Sequence, residues 1–229
     1  MPETINVCVF CGAIVSPRGQ NENQNRLCEG AFGMAAEKSG AGELGELPPG
    51  LAGLVAQAGH AAKARPVERW DPPYCGEIGM RISADGAWYY RGSVIAREAL
   101  VRLFASILRR EPDGRHVLVT PVEKVGIEVA DAPFLAVEVL AEGEDRDRVL
   151  TFRTNVGDLV AAGPDHPLRF ETEAETAGLK PYIRVRGGLD ALASRALALE
   201  LVEMSGEQEG AAGIWSGGKF FPFPDASIG

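Results

Sequence analysis

The strongest constraint on this chain is a pattern that it uses twice. Residues 78–83 alternate apolar and polar side chains, Asp85–Gly86 follows, and residues 88–91 run back. That order predicts a β-hairpin closed by a tight turn. Gly92–Ser93 then leads into a helix over residues 96–110, because Ile95, Ala99, Leu100, Leu103, Phe104, Ile107 and Leu108 fall on one 3.6-residue stripe. Arg97, Arg102, Arg109 and Arg110 stand off the stripe, the last two suiting the negative end of the helix dipole, and Pro112–Asp113–Gly114 stops it. Residues 117–122, 125–129, 134–141 and 149–154 read as successive strands. About 90 residues after the first hairpin the order returns. Leu168–Arg169–Phe170 echoes Met80–Arg81–Ile82, residues 180–184 echo 87–91, and Gly187–Gly188 echoes Gly92. A short helix is predicted over residues 189–195, a strand through Leu197, Leu199 and Leu201, and another over residues 214–223.

These elements predict an α+β protein of two duplicated units, each an antiparallel sheet with one helix. The units are expected over residues 66–145 and 146–223, with 224–229 as a tail. With 45% apolar and 24% charged residues, the chain has the material for a packed core. Residues 1–65 differ: they are rich in Gly, Ala, Gln and Asn, lack Trp and Tyr, and sustain neither period. They are expected to be a largely flexible extension, in which Leu51, Leu54, Val55 and Ala58 make at most a turn or two of amphipathic helix. Met34 offers a later start, so residues 1–33 are a candidate mis-assigned start.

Charge excludes several partners. The formal net charge is −9, with Glu142, Glu144, Asp145 and Asp147 in one run. Such a surface repels a phosphate backbone, so no nucleic acid is expected, and no anionic membrane for the same reason. No apolar run approaches the ~20 residues of a spanning helix, and Pro2 and Glu3 stand where a secretory signal would carry positive charge. Four cysteines are too few for a disulfide framework and suit a reducing cytoplasm.

No complete catalytic or cofactor motif is present. Cys8 and Cys11 have zinc-knuckle spacing, but Cys28 and His60 do not complete four ligands, so no metal is expected. Cys75 would need a base to act as a nucleophile, and a hydrolase using it is the least favoured reading. Ser216–Gly217–Gly218–Lys219 has the flavour of a phosphate loop, yet Phe220 follows where Ser or Thr is required, so a hairpin turn is the better reading.

Two polar stretches stand out instead. Thr120–Pro121–Val122–Glu123–Lys124 breaks a strand with a residue that cannot donate to the ladder. Arg153–Thr154–Asn155–Val156–Gly157–Asp158 ends one in polar side chains, and Asn155 and Gly157 tolerate left-handed backbone geometry that would aim N–H groups outward. His166 and Arg186 add cationic partners for an anion.

Trp70–Asp71–Pro72–Pro73–Tyr74–Cys75–Gly76, Thr120 to Lys124, Phe152 to Gly157, and Trp215 to Phe221, in that order over residues 66–223, resemble the bacterial family called domain of unknown function 1285. Glu77 stands where that family more often has Asp, and Leu199 where it often has an aromatic residue. The resemblance implies a duplicated core whose second half is similar to pleckstrin-homology-like folds. It also implies a site between the halves for a nucleotide-like ligand and a role in signalling. The expected function is therefore a non-catalytic regulatory protein without cofactor, binding a small anionic or nucleotide-like ligand between its halves. Thr120, Glu123, Lys124, Arg153, Thr154, Asn155, His166 and Arg186 would line the site, Arg holding phosphate and Glu123 or Asn155 reading a sugar or base edge. The alternative is an adaptor that takes a protein partner on an exposed strand edge.

Overall fold

The computed structural model describes residues 6–7, 14–15, 47–56, 65–174, 176 and 178–224. Ahead of the main body, β1 (Asn6–Val7) and β2 (Ile14–Val15) pair antiparallel, and α1 (Pro49–Ala56) follows. The first unit then runs β3 (Tyr74–Ile82), β4 (Trp88–Tyr90), β5 (Ser93–Val94), α2 (Glu98–Ser106), β6 (Leu108–Arg110), β7 (His116–Val119) and β8 (Lys124–Val129). The second runs β9 (Phe134–Glu142), β10 (Val149–Thr154), β11 (Leu159–Ala161), β12 (Leu168–Thr172), β13 (Leu179–Arg186) and β14 (Leu189–Ala193). After it come α3 (Arg195–Glu203), β15 (Gly206–Gln208), β16 (Ala211–Ser216) and β17 (Lys219–Pro222).

Duplication is written in the strand order. The first six-stranded sheet is ordered β5-β4-β3-β8-β7-β6 and the second β11-β10-β9-β14-β13-β12. Each consists of two three-stranded meanders whose first and last strands meet as a parallel pair, β3 with β8 and β9 with β14. All other pairings in the two sheets are antiparallel, so the expectation of purely antiparallel units is corrected at these two seams. The units differ in where the helix sits. α2 joins the two meanders of the first unit, whereas α3 follows the last strand of the second.

That difference overturns the register expected for the repeat. The topology matches β3 to β9, not residues 80–91 to 168–186, because the latter are the second meander of their unit. Residues 189–195 were expected to be helical, but Leu189, Ala191 and Ala193 bury one face of a strand while Asp190 and Leu192 take the other. Leu197, Leu199 and Leu201 fall in a helix instead of a strand, with Leu197, Ala198 and Leu201 inward. Ser194 caps it, accepting the Leu197 N–H at 3.3 Å. The expected helix over 96–110 ends at Ser106, and Leu108 crosses to pair with Leu118. The strand expected over 117–122 stops at Val119. β9 belongs to the second sheet, so the units divide before Phe134 and not at 145. The turn or two of helix expected around Leu51, Leu54 and Val55 is present as α1, with Leu51 fully buried among core side chains, while Ala58 lies outside the described residues.

One contiguous core joins both units. Trp88 stacks on Phe104 with ring centroids 6.3 Å apart, and Phe134, Phe152, Leu150 and Ile183 are buried in the same cluster. Gly86, at the tip of the β3–β4 hairpin with φ of 77°, meets the second unit: a Cβ there would lie 2.9 Å from Leu135 and 3.0 Å from Asn155. Only glycine satisfies both the turn and the contact.

The third sheet, β15-β16-β17, docks through a buried hydroxyl. Ser216 Oγ accepts the Leu150 N–H at 2.9 Å and donates to the Ala162 carbonyl at 2.8 Å, with no exposed surface. Phe223, just past β17, packs edge-on against Phe170 of β12, so the sheet spans from β10 to β12. Ser216→Ala is expected to destabilise the protein by about 1–3 kcal/mol, because the Leu150 N–H is left without an acceptor. Urea unfolding with an unchanged m-value is the measurement; a loss under ~0.5 kcal/mol would mean that the hydroxyl does not anchor the sheet.

Candidate functional site

The Thr120 segment forms a closed turn rather than a ligand-facing edge. Thr120, 1% exposed, receives the Glu123 N–H on its hydroxyl at 3.1 Å, and its own N–H reaches the Glu123 carbonyl at 2.9 Å. Glu123, expected to read a ligand, is 8% exposed and points at α1: its carboxylate accepts the Leu51 N–H at 3.0 Å. A Cβ on Gly50 would come within 2.7 Å of that carboxylate, so the helix start can press onto it only as glycine. Burial holds the Glu123 carboxyl above its ordinary range, and the amides of Leu51 and Gly50 offset part of the rise. Glu123 is a helix cap.

Lys124 is likewise engaged. Its ammonium reaches Glu111 at 3.3 Å and Asp71 at 3.8 Å. Burial pushes the Glu111 carboxyl up, but Arg109 and Lys124 outweigh it and hold the group below its ordinary range. Arg109 also donates to the carbonyls of Val67 and Trp70 at 2.8 and 2.7 Å. The network fastens the segment leading into β3 onto β6.

The Arg153 segment lies elsewhere. Arg153 pairs with its cross-strand neighbour Glu138 on the exposed face of the second sheet. Thr154 is fully buried and accepts the Asp158 N–H at 3.0 Å. Asn155 accepts the Leu135 N–H at 3.1 Å and donates its own to the Leu135 carbonyl at 2.8 Å, holding the start of β9. Gly157 takes left-handed geometry with φ of 94°, and Asn155 does not. The Gly157 N–H turns back to Thr154, so it does not point outward as expected. His166 sits in the turn before β12, its Nδ1 3.0 Å from the Arg184 carbonyl.

Register separates the two polar stretches. Lys124 stands opposite Tyr74 at the start of β3, and Val129 opposite Ile82 at its end. The Thr120 turn precedes the first pair, while Gly86, which touches Asn155, follows the second. They lie roughly 25 Å apart, the span of a nine-residue strand. The expected eight-residue site does not assemble.

A cleft between the units does exist, and of the expected residues it uses only Arg186. It encloses about 820 Å³. The first unit contributes Arg65, Glu68 and Arg69 from the leading segment and Arg102, Ala105 and Ser106 from α2. The second contributes Val156, Gly157, Asp158 and Arg186. Arg186 spans the seam: one arm of its guanidinium pairs with Asp158, and the other donates to the Ala105 carbonyl at 2.8 Å, at the negative end of α2. Its plane also rests 5.0 Å from the Phe134 ring centroid. Four guanidiniums face two carboxylates, a net +2 in the wall of a protein that carries −9 overall. Arg65, Arg69 and Arg102 were missed by sequence reasoning, since isolated arginines on a helix flank and a leading segment carry no motif.

Among the described residues no group of three or more His, Cys, Asp or Glu side chains could hold a metal ion. Cys8, Cys11, Cys28 and His60 lie outside the described residues. Cys75 is half-buried, with its Sγ 3.7 Å from the Pro73 carbonyl. Among the described residues no helix is long and apolar enough to cross a membrane. Ser216 to Lys219 forms the expected hairpin turn, Ser216 pairing with Lys219 across Gly217–Gly218.

Glu123 makes a sharp prediction. Its raised carboxyl means that the fold prefers the protonated form, so its stabilising contribution is complete below the ordinary value of 4.5 and is lost as pH rises through the raised one. Glu123→Gln keeps an acceptor for α1 without the charge. Its stability relative to the native protein should therefore increase from acid to neutral pH, while Glu123→Ala loses about 1–3 kcal/mol by orphaning the helix amides. Unfolding midpoints of the three proteins across pH check this; a Gln variant that tracks the native protein at every pH would refute it.

Comparison with known proteins covers the same residues. Residues 65–132 match the model of the N-terminal domain of the domain of unknown function DUF1285, and residues 133–223 match that of its C-terminal domain. The junction of the two models coincides with the break between the two sheets. A crystal structure described as a DUF1285 family protein from Silicibacter pomeroyi DSS-3 is 48% identical, with a TM-score of 0.70, over 74% of this chain and 93% of that one. Another, from Shewanella baltica OS155, is 29% identical over 55% of this chain and 91% of that one, with a TM-score of 0.44. No curated protein sequence matches.

Proposed function

This chain belongs to the DUF1285 family, and from the cleft between its two units we propose that it is a non-catalytic regulatory protein that binds a small organic anion. One observation carries the proposal: a net-positive cleft of about 820 Å³ whose walls come from both halves of an acidic chain. The volume falls within the ~300–1,000 Å³ of small-molecule sites. Guanidinium is the group suited to oxyanions, since its planar donors pair with two oxygens at once. A ligand touching both units strengthens their hold on each other, which is the physical means by which such a protein would report its ligand in signalling.

A second reading is a protein partner at the β11 edge. Leu159 is 71% exposed there, and Leu140, on the same outer face, 59%. Exposed apolar side chains beside an unpaired strand edge favour strand addition.

Thermal unfolding in millimolar organic anions separates the two. The cleft proposal expects a rise in midpoint that saturates with ligand and is weakened by Arg69→Ala, an exposed side chain of the cleft wall. No rise with any anion, together with a partner whose binding is abolished by Leu159→Glu and unaffected by Arg69→Ala, would replace it with the second reading.

A further inference from the structure

The cleft's unspent hydrogen-bonding capacity points to one class of anion. Its neutral groups are already committed: the Ser106 hydroxyl donates to the Leu103 carbonyl at 2.6 Å, the Gly157 N–H to Thr154, and the Asp158 N–H to the Thr154 hydroxyl. The Val67 carbonyl is taken by Arg109. Asn155 and Glu123, the side chains suited to reading a base or sugar edge, lie outside it.

Two of the four guanidiniums are also committed. Arg186 is bound to Asp158 and Ala105, and Arg102 pairs with Glu98 at 3.2 Å. Arg65 and Arg69 have no carboxylate partner among the described residues. The Arg65 Nε is buried and has no acceptor among them. A buried charged donor without an acceptor is costly, and its place in the cleft wall marks where an oxyanion would offset that cost. Val67, Ala105 and Val156, each less than a tenth exposed, supply apolar wall beside it.

Resting on the reading of the cleft as an anion site, we infer that its ligand is a phosphomonoester with an apolar body, its dianionic head held by Arg65 and Arg69. A phosphomonoester carries about −1.5 to −2 near neutrality and presents three terminal oxygens, which suit two guanidiniums, Arg65 and Arg69, at once. A carboxylate or phosphodiester carries only one charge. The body meets the aliphatic side chains of Val67, Ala105 and Val156, which favour an apolar group over a nucleotide base; of the wall's two carboxylates, Asp158 is paired with Arg186 and Glu68 faces Gly187.

Calorimetric titration of the full chain with 1-naphthyl phosphate, 1-naphthoate, inorganic phosphate and adenosine 5′-monophosphate tests each part. Naphthyl phosphate should bind most tightly, with naphthoate and inorganic phosphate each weaker by about 10-fold or more, as expected for lost charge-assisted bonds or lost apolar burial. Arg65→Ala and Arg69→Ala should each weaken naphthyl phosphate about 10-fold, and the exposed Arg69 keeps the test usable if the Arg65 variant does not fold. Equal affinity for naphthoate overturns the phosphate head. Tighter binding of the adenosine compound overturns the apolar body, and unchanged affinity in folded Arg65 and Arg69 variants overturns the assignment to these residues. Binding by none of the four overturns the cleft reading itself.

Discussion

Each unit is closed by the parallel pairing of its first strand with its last, β3 with β8 and β9 with β14. Parallel neighbours cannot be joined by a tight turn, so everything between them must form a long excursion that returns to the same end. In the first unit that excursion holds β4 to β7 and α2; in the second it holds β10 to β13. Because β8 ends beside the end of β3, only residues 130–133 separate the first sheet from β9. Asp131 in that link is held by Lys180 and by the Tyr182 hydroxyl at 2.8 Å, so the second sheet grips the joint from its own far meander. The Gly86 turn then comes to rest on Asn155 and Leu135. These contacts, together with the core cluster that the units share, fix the relation between them.

The cleft is a by-product of the same closure. α2 crosses between the meanders of the first unit and ends with the Ala105 carbonyl facing Arg186. The β13–β14 turn carries Arg186 and Gly187 to that point, and a Cβ on Gly187 would lie 2.7 Å from the Glu68 carboxylate of the leading segment. Half-burial lowers the basicity of His116, with Arg110 acting in the same sense and Asp190 of the second unit opposing them. Polar groups from both halves thus meet along one seam. Most of them satisfy one another; among the described residues Arg65, Glu68 and Arg69 have no ion-pair partner.

Much of the fold was legible along the chain. Alternation marked β3, β8, β9 and β10, the Asp–Gly pair marked the hairpin, and the apolar stripe marked α2. One exchange of elements has a plain cause. Leu189 to Leu201 is apolar enough to satisfy either period, so a strand and a helix exchanged places. Short apolar runs cannot arbitrate between the two periods, and pairing with β9 decided the matter for β14. The candidate site failed for a different reason. Thr120, Glu123, Thr154 and Asn155 are polar residues in turns, a combination that signals ligand contact and backbone capping equally well. In this protein they cap.

Sequence alone determined the class of fold, its duplication and the family, because periodicity, turn chemistry and motif order are local properties written in consecutive residues. Tertiary structure decided the rest: which strands are parallel, where one unit ends, that Leu51 is core, and that Glu123 serves α1. It also decided which arginines share a cleft. Arg65, Arg102 and Arg186 are distant in the chain and unremarkable singly. Only the return of each last strand to its first brings them into the wall of one cleft, and strand pairing over such separations leaves no local trace.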